Sequence, residues 1–199
     1  MHRRVTKRPS VKSDVGRPAI DRRSYEDALV VCGVLKVLAP FDPHVAGTPP
    51  LGLDLPGSDI DVLCFAPDVR SFTDTVWQAF SNAPAFIAKQ WVDPPRPVVA
   101  SFEAAGWQIQ LYGEATPVEQ QRGWRHLIVE RRLLALGGHG FRTAVLALRQ
   151  RGMKTEPAVA ASLELKGDPY LALLDLGEQS DQSLTSVLLA AGFHSAAVS

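Results

Sequence analysis

Residues 46–65 read AGTPPLGLDLPGSDIDVLCF, a Pro- and Gly-rich loop that runs into a strand opening on two aspartates. Side chains two apart on a strand face the same side, so Asp59 and Asp61 present their carboxylates together at the head of an otherwise apolar segment. Two like charges there repel. Burying them without a partner costs several kcal/mol or forces one to take up a proton, whereas a divalent cation neutralises both. Mg2+ suits the pair, because it binds through a few carboxylate oxygens and leaves positions for water and substrate phosphate. Upstream, Gly47 and Thr48 supply backbone N–H groups, a hydroxyl and little bulk, the makings of a turn that cradles a phosphate. Ser58, just before the acids, suits either turn closure or contact with a phosphate or a metal-bound water.

Outward from this stretch, the segment from Ser24 spaces Tyr25, Ala28, Leu29, Cys32 and Leu35 as a helix. The doubly apolar run DIDVLCFA reads as an interior strand, and Pro67–Asp68 opens a second helix. AFIAKQWV, PVVASFEAA and WQIQLYGE add three strands, the last two joined by a tight turn at Gly106. From Pro117 the period changes from two to 3.6. Helices are expected over about 117–136, 139–151, from Glu156, from Asp168–Pro169 and over about 182–191, with Gly at the stops and Pro in first turns. The four tryptophans, Trp77, Trp91, Trp107 and Trp124, are expected in the core. The expectation is an α+β fold with a mixed sheet of about five strands and flanking helices. Its parts are a basic arm over 1–23, an α/β core over 24–116 and a helical subdomain over 117–199 packed on that core.

Composition narrows the classes. The chain has 199 residues, 46% of them hydrophobic, enough for a sizeable core and too apolar for a disordered chain. Its zero net charge divides into +6 over residues 1–23 and −6 over the rest. Such an arm suits solvent, or phosphates of nucleic acid or lipid, but the acidic remainder makes nucleic acid a poor expected partner. Two cysteines exclude a disulfide framework and favour a reducing, cytoplasmic setting. No apolar stretch near the N-terminus reaches the roughly 20 residues of a membrane span.

The order apolar–Gly–Thr, a ten-residue spacer (49–58), then Asp–Ile–Asp–Val resembles the signature of the nucleotidyltransferase superfamily with a DNA-polymerase-beta-like fold. Together with QIQLYGEATPVEQQRGWRHLIVERRLL, RGMKTEPA and GDPYLALL, it resembles an uncharacterised bacterial domain family of that superfamily, over roughly residues 40–176. The resemblance implies that Gly47 and Thr48 hold nucleotide phosphates and that Asp59 and Asp61 bind Mg2+. It also implies a third acid on a later strand, where this chain carries Gln110. An amide neither takes a proton nor adds charge to a metal site. Glu103, on the preceding strand, and Glu114, past the strand's end, do not inherit that role by position.

On the helix from Pro117, His126 and Glu130 lie one turn apart on a polar stripe with Arg122, which Arg125 can join. They read as a structural pair or as part of an acceptor site, and no further ligand at helical spacing makes a Zn2+ centre of them. Lys154 is placed to reach a triphosphate as a point charge, although the run around it also serves as helix punctuation, with Thr155 as the cap. Two main functions compete. One is a Mg2+-dependent enzyme that moves an NMP group from an NTP to a hydroxyl of a small molecule or protein. The other is a nucleotide- or metal-binding module of the same fold that has lost turnover, for which Gln110 speaks.

Overall fold

The computed structural model describes residues 22–194 of the chain. Ser24 caps α1 (Tyr25–Cys32) by accepting from the Asp27 N–H, and Gly33, at φ 65°, separates it from the single turn of α2 (Val34–Val37). Strand β1 (His44–Ala46) pairs antiparallel with β2 (Ile60–Phe65), and the 46–58 loop between them contains a 3-10 turn over Pro49–Leu51. Asp68 caps α3 (Val69–Phe80), accepting from the N–H groups of Arg70 and Ser71. The strands β3 (Ile87–Gln90), β4 (Val98–Ala104) and β5 (Trp107–Glu114) complete a five-stranded sheet in the order β1-β2-β5-β4-β3. Only β2 and β5 run parallel; the other pairs are antiparallel.

The doubly apolar character of β2 has a direct cause, because the strand lies between two cores. Ile60, Val62 and Cys64 face a cluster with Ala28, Leu29, Phe72, Val76 and Phe80 from α1 and α3. Leu63, with Ala46 of β1, faces a second cluster that includes Leu127, Leu133, Phe141, Val159, Leu173 and Leu184. That second cluster belongs to α4 (Arg122–Gln150), α5 (Thr155–Ser162), α6 (Pro169–Gly177) and α7 (Asp181–Ala190). The helices therefore cover the β1–β2 side of one sheet face.

Helix α4 is a run of 29 residues interrupted at Gly138, whose φ 63° and ψ −154° belong to glycine's own region of backbone space. The two helices expected over 117–136 and 139–151 are thus the two arms of one kinked rod. Its start moves from Pro117 to Arg122 because Gln121 spends its side chain bonding the carbonyls of Cys64 and Thr116 across to β2. Thr155 is not the cap of α5: Lys154 occupies that position, and the Thr155 hydroxyl accepts from Arg149. The tryptophans divide. Trp107 is buried, whereas Trp77 and Trp91 are 59% and 51% exposed, Trp77 meeting the ring of Phe86 edge-on.

Most of the basic arm, residues 1–21, lies outside the described residues. Arg22 stacks on Trp107 at 3.2 Å from the ring centre and donates to the carbonyls of Leu55 and Ser58. No helix among the described residues is long and apolar enough to cross a membrane.

Candidate functional site

The antiparallel register of β1 on β2 sets Ala46 opposite Asp61, so the chain leaves β1 at Gly47, directly over the Asp61 carboxylate. Gly47 has φ 78°, and a Cβ built there lies 2.6 Å from Asp61 Oδ2. The position therefore requires glycine twice over, by backbone conformation and by contact. Thr48 follows, its carbonyl accepting from the N–H groups of Leu51 and Leu53. Ser58 closes the far end of the loop by accepting from the Leu55 N–H at 2.9 Å, with Arg149 Nη2 3.5 Å from the same hydroxyl. The turn-closing reading of Ser58 holds, and the residue still lines the cleft.

The loop, the head of β2, α4 and the start of α5 enclose a cleft of about 490 Å3. Nine of the residues singled out in the sequence line it: Gly47, Thr48, Ser58, Asp59, Asp61, Gln110, His126, Glu130 and Lys154. Asp59 precedes the first residue of β2, and Asp61 is its second. Burial, then the charges of Asp59 and Glu156, push the Asp61 carboxyl up to about 7, with Lys154 acting the other way. Among the described residues, no ion pair engages either aspartate. The parallel register of β5 on β2 sets Gln110 beside Asp61. Glu103 is exposed on β4, and Glu114 is buried at the end of β5, where loss of water raises its carboxyl.

The helical wall carries its own polar set. The His126 ring is buried, and its Nε2 lies 3.0 Å from the Tyr170 carbonyl, an acceptor, so this nitrogen carries the proton. The other nitrogen, Nδ1, faces Glu156 Oε1 at 3.9 Å. Glu130 is 4% exposed, its Oε1 has no hydrogen-bond partner among the described residues, and burial holds its carboxyl well above the usual range, Glu156 adding to this and Arg149 opposing it. Arg149 donates to the Leu53 carbonyl and to Thr155, tying the end of α4 to the loop. Arg125 does not join this set: it pairs with Glu178 at 2.7 Å, away from the cleft. Arg122 lines a second cavity of about 640 Å3 with Trp91, Tyr112 and Glu114, which meets the first at Asp61, Leu63, Gln110 and Gly123.

Sequence reasoning missed Glu156 and Arg149. Glu156 sat in a run readable as helix punctuation and Arg149 inside the helix expected over 139–151; in the fold Arg149 bonds the loop at Leu53 and Glu156 lines the cleft. Among the described residues, one trio of metal-ligating side chains comes within 4.8 Å of one another, Asp42, His44 and Glu119, and it includes neither Asp59 nor Asp61.

The sequence matches none of the curated proteins with which it was compared. Among solved structures, that of a GLD-2/RNP-8 complex aligns with a TM-score of 0.51 at 10% identity, covering 81% of this chain and 73% of that one. The Cid1 poly(U) polymerase with MgGTP bound aligns with a TM-score of 0.50 at 14% identity, covering 75% of this chain. This chain spans 47% of that polymerase's length. At such identities the likeness is one of fold, and the fold is that of the nucleotidyltransferases. Residues 27–176, from within α1 to within α6, match the family described as a domain of unknown function, DUF4269, and the chain belongs to that family.

Proposed function

We propose that the cleft binds a Mg2+–nucleoside triphosphate and transfers its NMP group to a hydroxyl of a small molecule or protein, with release of pyrophosphate. One observation carries the reading. Asp61 lies half-buried beside Asp59, with no ion pair to either among the described residues, under a glycine turn where a Cβ would meet the Asp61 carboxylate. That donor set fits a hard divalent cation. When bound, Mg2+ would supply positive charge to the phosphates and to the oxygens that gain charge as the P–O bond breaks. Asp59 and Asp61 would hold it. The backbone at Gly47–Thr48 would lie along the phosphates, and Lys154, exposed at the mouth of the cleft, would add a point charge to their far end. The in-line geometry of such a transfer depends on positioning more than on covalent chemistry.

The acidic remainder of the chain made nucleic acid a poor expected partner, but the fold does not support setting it aside, since a poly(U) polymerase shares that fold. The second reading, a nucleotide-binding module without turnover, draws on Gln110 standing beside Asp61 in the place of a third acid. A melting-temperature screen with ATP, GTP, CTP and UTP, with and without Mg2+, tests what both readings share. Ligand binding to the native state raises stability by linkage. The expected result is a Mg2+-dependent upward shift with at least one nucleotide, absent in Asp59→Ala; no shift with any of the four would overturn both.

A further inference from the structure

The second cavity, of about 640 Å3, continues the first along one face of the sheet. Side chains two apart on a strand share a face, so Gln110, Tyr112 and Glu114 of β5 line it in a row about 13 Å long that starts beside Asp61. Asp61 is the one carboxylate that lines both cavities; Asp59 lines only the first. The turn between β3 and β4 contributes Trp91 and the Pro94–Pro95 pair. That turn is closed by its own bonds, the Trp91 N–H donating to the Pro97 carbonyl at 3.0 Å and the Arg96 N–H to the Asp93 carbonyl at 2.8 Å. Trp91 is therefore a placed ring, 51% exposed, and among the described residues no aromatic ring packs on it or on Tyr112. Three carboxyl groups, Asp61, Asp93 and Glu114, stand against one guanidinium, Arg122, so the cavity disfavours anions. A concave site with aromatic walls and a few polar groups, at this volume, suits a small molecule.

We propose that this cavity is the acceptor subsite and takes an uncharged molecule that carries its reacting hydroxyl on a flat aromatic or heteroaromatic ring. Trp91 and Tyr112 supply aromatic surface for stacking, and Gln110 and Gln120 supply amide donors and acceptors for polar ring substituents. With the triphosphate at Gly47–Thr48, the two substrates meet where the cavities join, at Asp61 and Gln110. There the acceptor oxygen forms a bond to the α-phosphorus as the bond to pyrophosphate breaks, and the hydroxyl proton passes to water. The role as acceptor rests on the transfer reading; the preference for a flat, uncharged ring does not.

The probe is naphthalenemethanol, set beside its fully saturated analogue, an analogue with a carboxylate on the far ring, and a short oligoadenylate. Binding to the full chain is read by saturation-transfer NMR and by calorimetry. Naphthalenemethanol is expected to bind, and the other three to bind more weakly. Trp91→Ala is expected to weaken its binding about tenfold or more, and Trp91→Phe, which keeps a ring, to retain most of the affinity. Trp91 is exposed and lies outside the strands, so neither variant disturbs the core. No binding of naphthalenemethanol, equal binding of the saturated alcohol, tighter binding of the carboxylate or of oligoadenylate, or unchanged affinity in Trp91→Ala would overturn the subsite. So would displacement of the bound alcohol by a Mg2+–NTP, which would give the cavity to the nucleobase. Failure of the nucleotide reading shows instead as a missing Mg2+–NTP shift in the wild type while naphthalenemethanol still binds.

Discussion

Asp61 is the residue on which the account turns, and its environment makes a prediction about pH. Its carboxyl, ordinarily near 3.8, is held at about 7 by burial and by Asp59 and Glu156. Between those values the native state binds more protons than the unfolded chain, so without metal this group's contribution to stability falls as pH rises from about 4 to 7. The shift corresponds to roughly 4 kcal/mol at neutral pH, reduced by the water that reaches the carboxylate from the cleft. Asp61→Asn removes the term. Urea titrations at pH 5 and pH 7.5 are expected to show a smaller loss of stability in the variant than in the wild type; equal losses would mean that Asp61 is already paired. Gly47→Ala places a methyl group 2.6 Å from Asp61 Oδ2 at a φ of 78°. It is expected to cost about 1–3 kcal/mol and to abolish the Mg2+–nucleotide shift, as read by the melting screen.

At the scale of elements, register and kink decide what meets what. The β2–β5 pairing puts residue 110 beside Asp61, so Gln110→Glu adds a third carboxylate to the pair. The expected outcome is lower stability in EDTA at neutral pH and tighter Mg2+ binding by calorimetry, because like charges in contact need a cation. The break in α4 depends on Gly138, where nothing crowds a side chain but the backbone angles exclude one. Gly138→Ala is expected to lower stability by about 1–3 kcal/mol, measured by denaturant unfolding, without any contact being lost.

The β2 segment was legible because its charges and its apolar run conflict unless a site resolves them. WQIQLYGE coincided with β5 to the residue because alternation and the turn at Gly106 fix both ends. Helix starts were less legible. Gln121, at the N-cap of α4, makes no side-chain capping bond; its side chain instead makes a long-range bond to Cys64 that local pattern does not encode. Exposure of Trp91, one residue past β3, was hidden for a related reason: β3 is an edge strand with all four residues exposed, and sequence alternation alone does not distinguish an edge from an interior position.

At the scale of the molecule, the cleft is the seam between two cores. Arg149 spans it, reaching from the end of α4 to Leu53, Ser58 and Thr155 while its charge bears on Glu130. Arg149→Met is expected to cost on the order of 2 kcal/mol, since it strands a buried carboxyl and several acceptors, and to weaken nucleotide binding by loosening the 46–58 loop. Denaturant unfolding and the melting screen check the two parts separately. Glu156 had no signature as a site residue, because a glutamate in the first turn of a helix is ordinary; docking α5 against α4 gives it a place in the cleft.

Nucleotidyl transfer is tested by incubating the protein with Mg2+, each of the four α-labelled NTPs and a cell extract. Label on an acceptor and a matching release of pyrophosphate are expected with the wild type, and neither with Asp59→Ala. Mg2+-dependent nucleotide binding with no label transferred and no pyrophosphate released would contradict it and leave the binding module in its place.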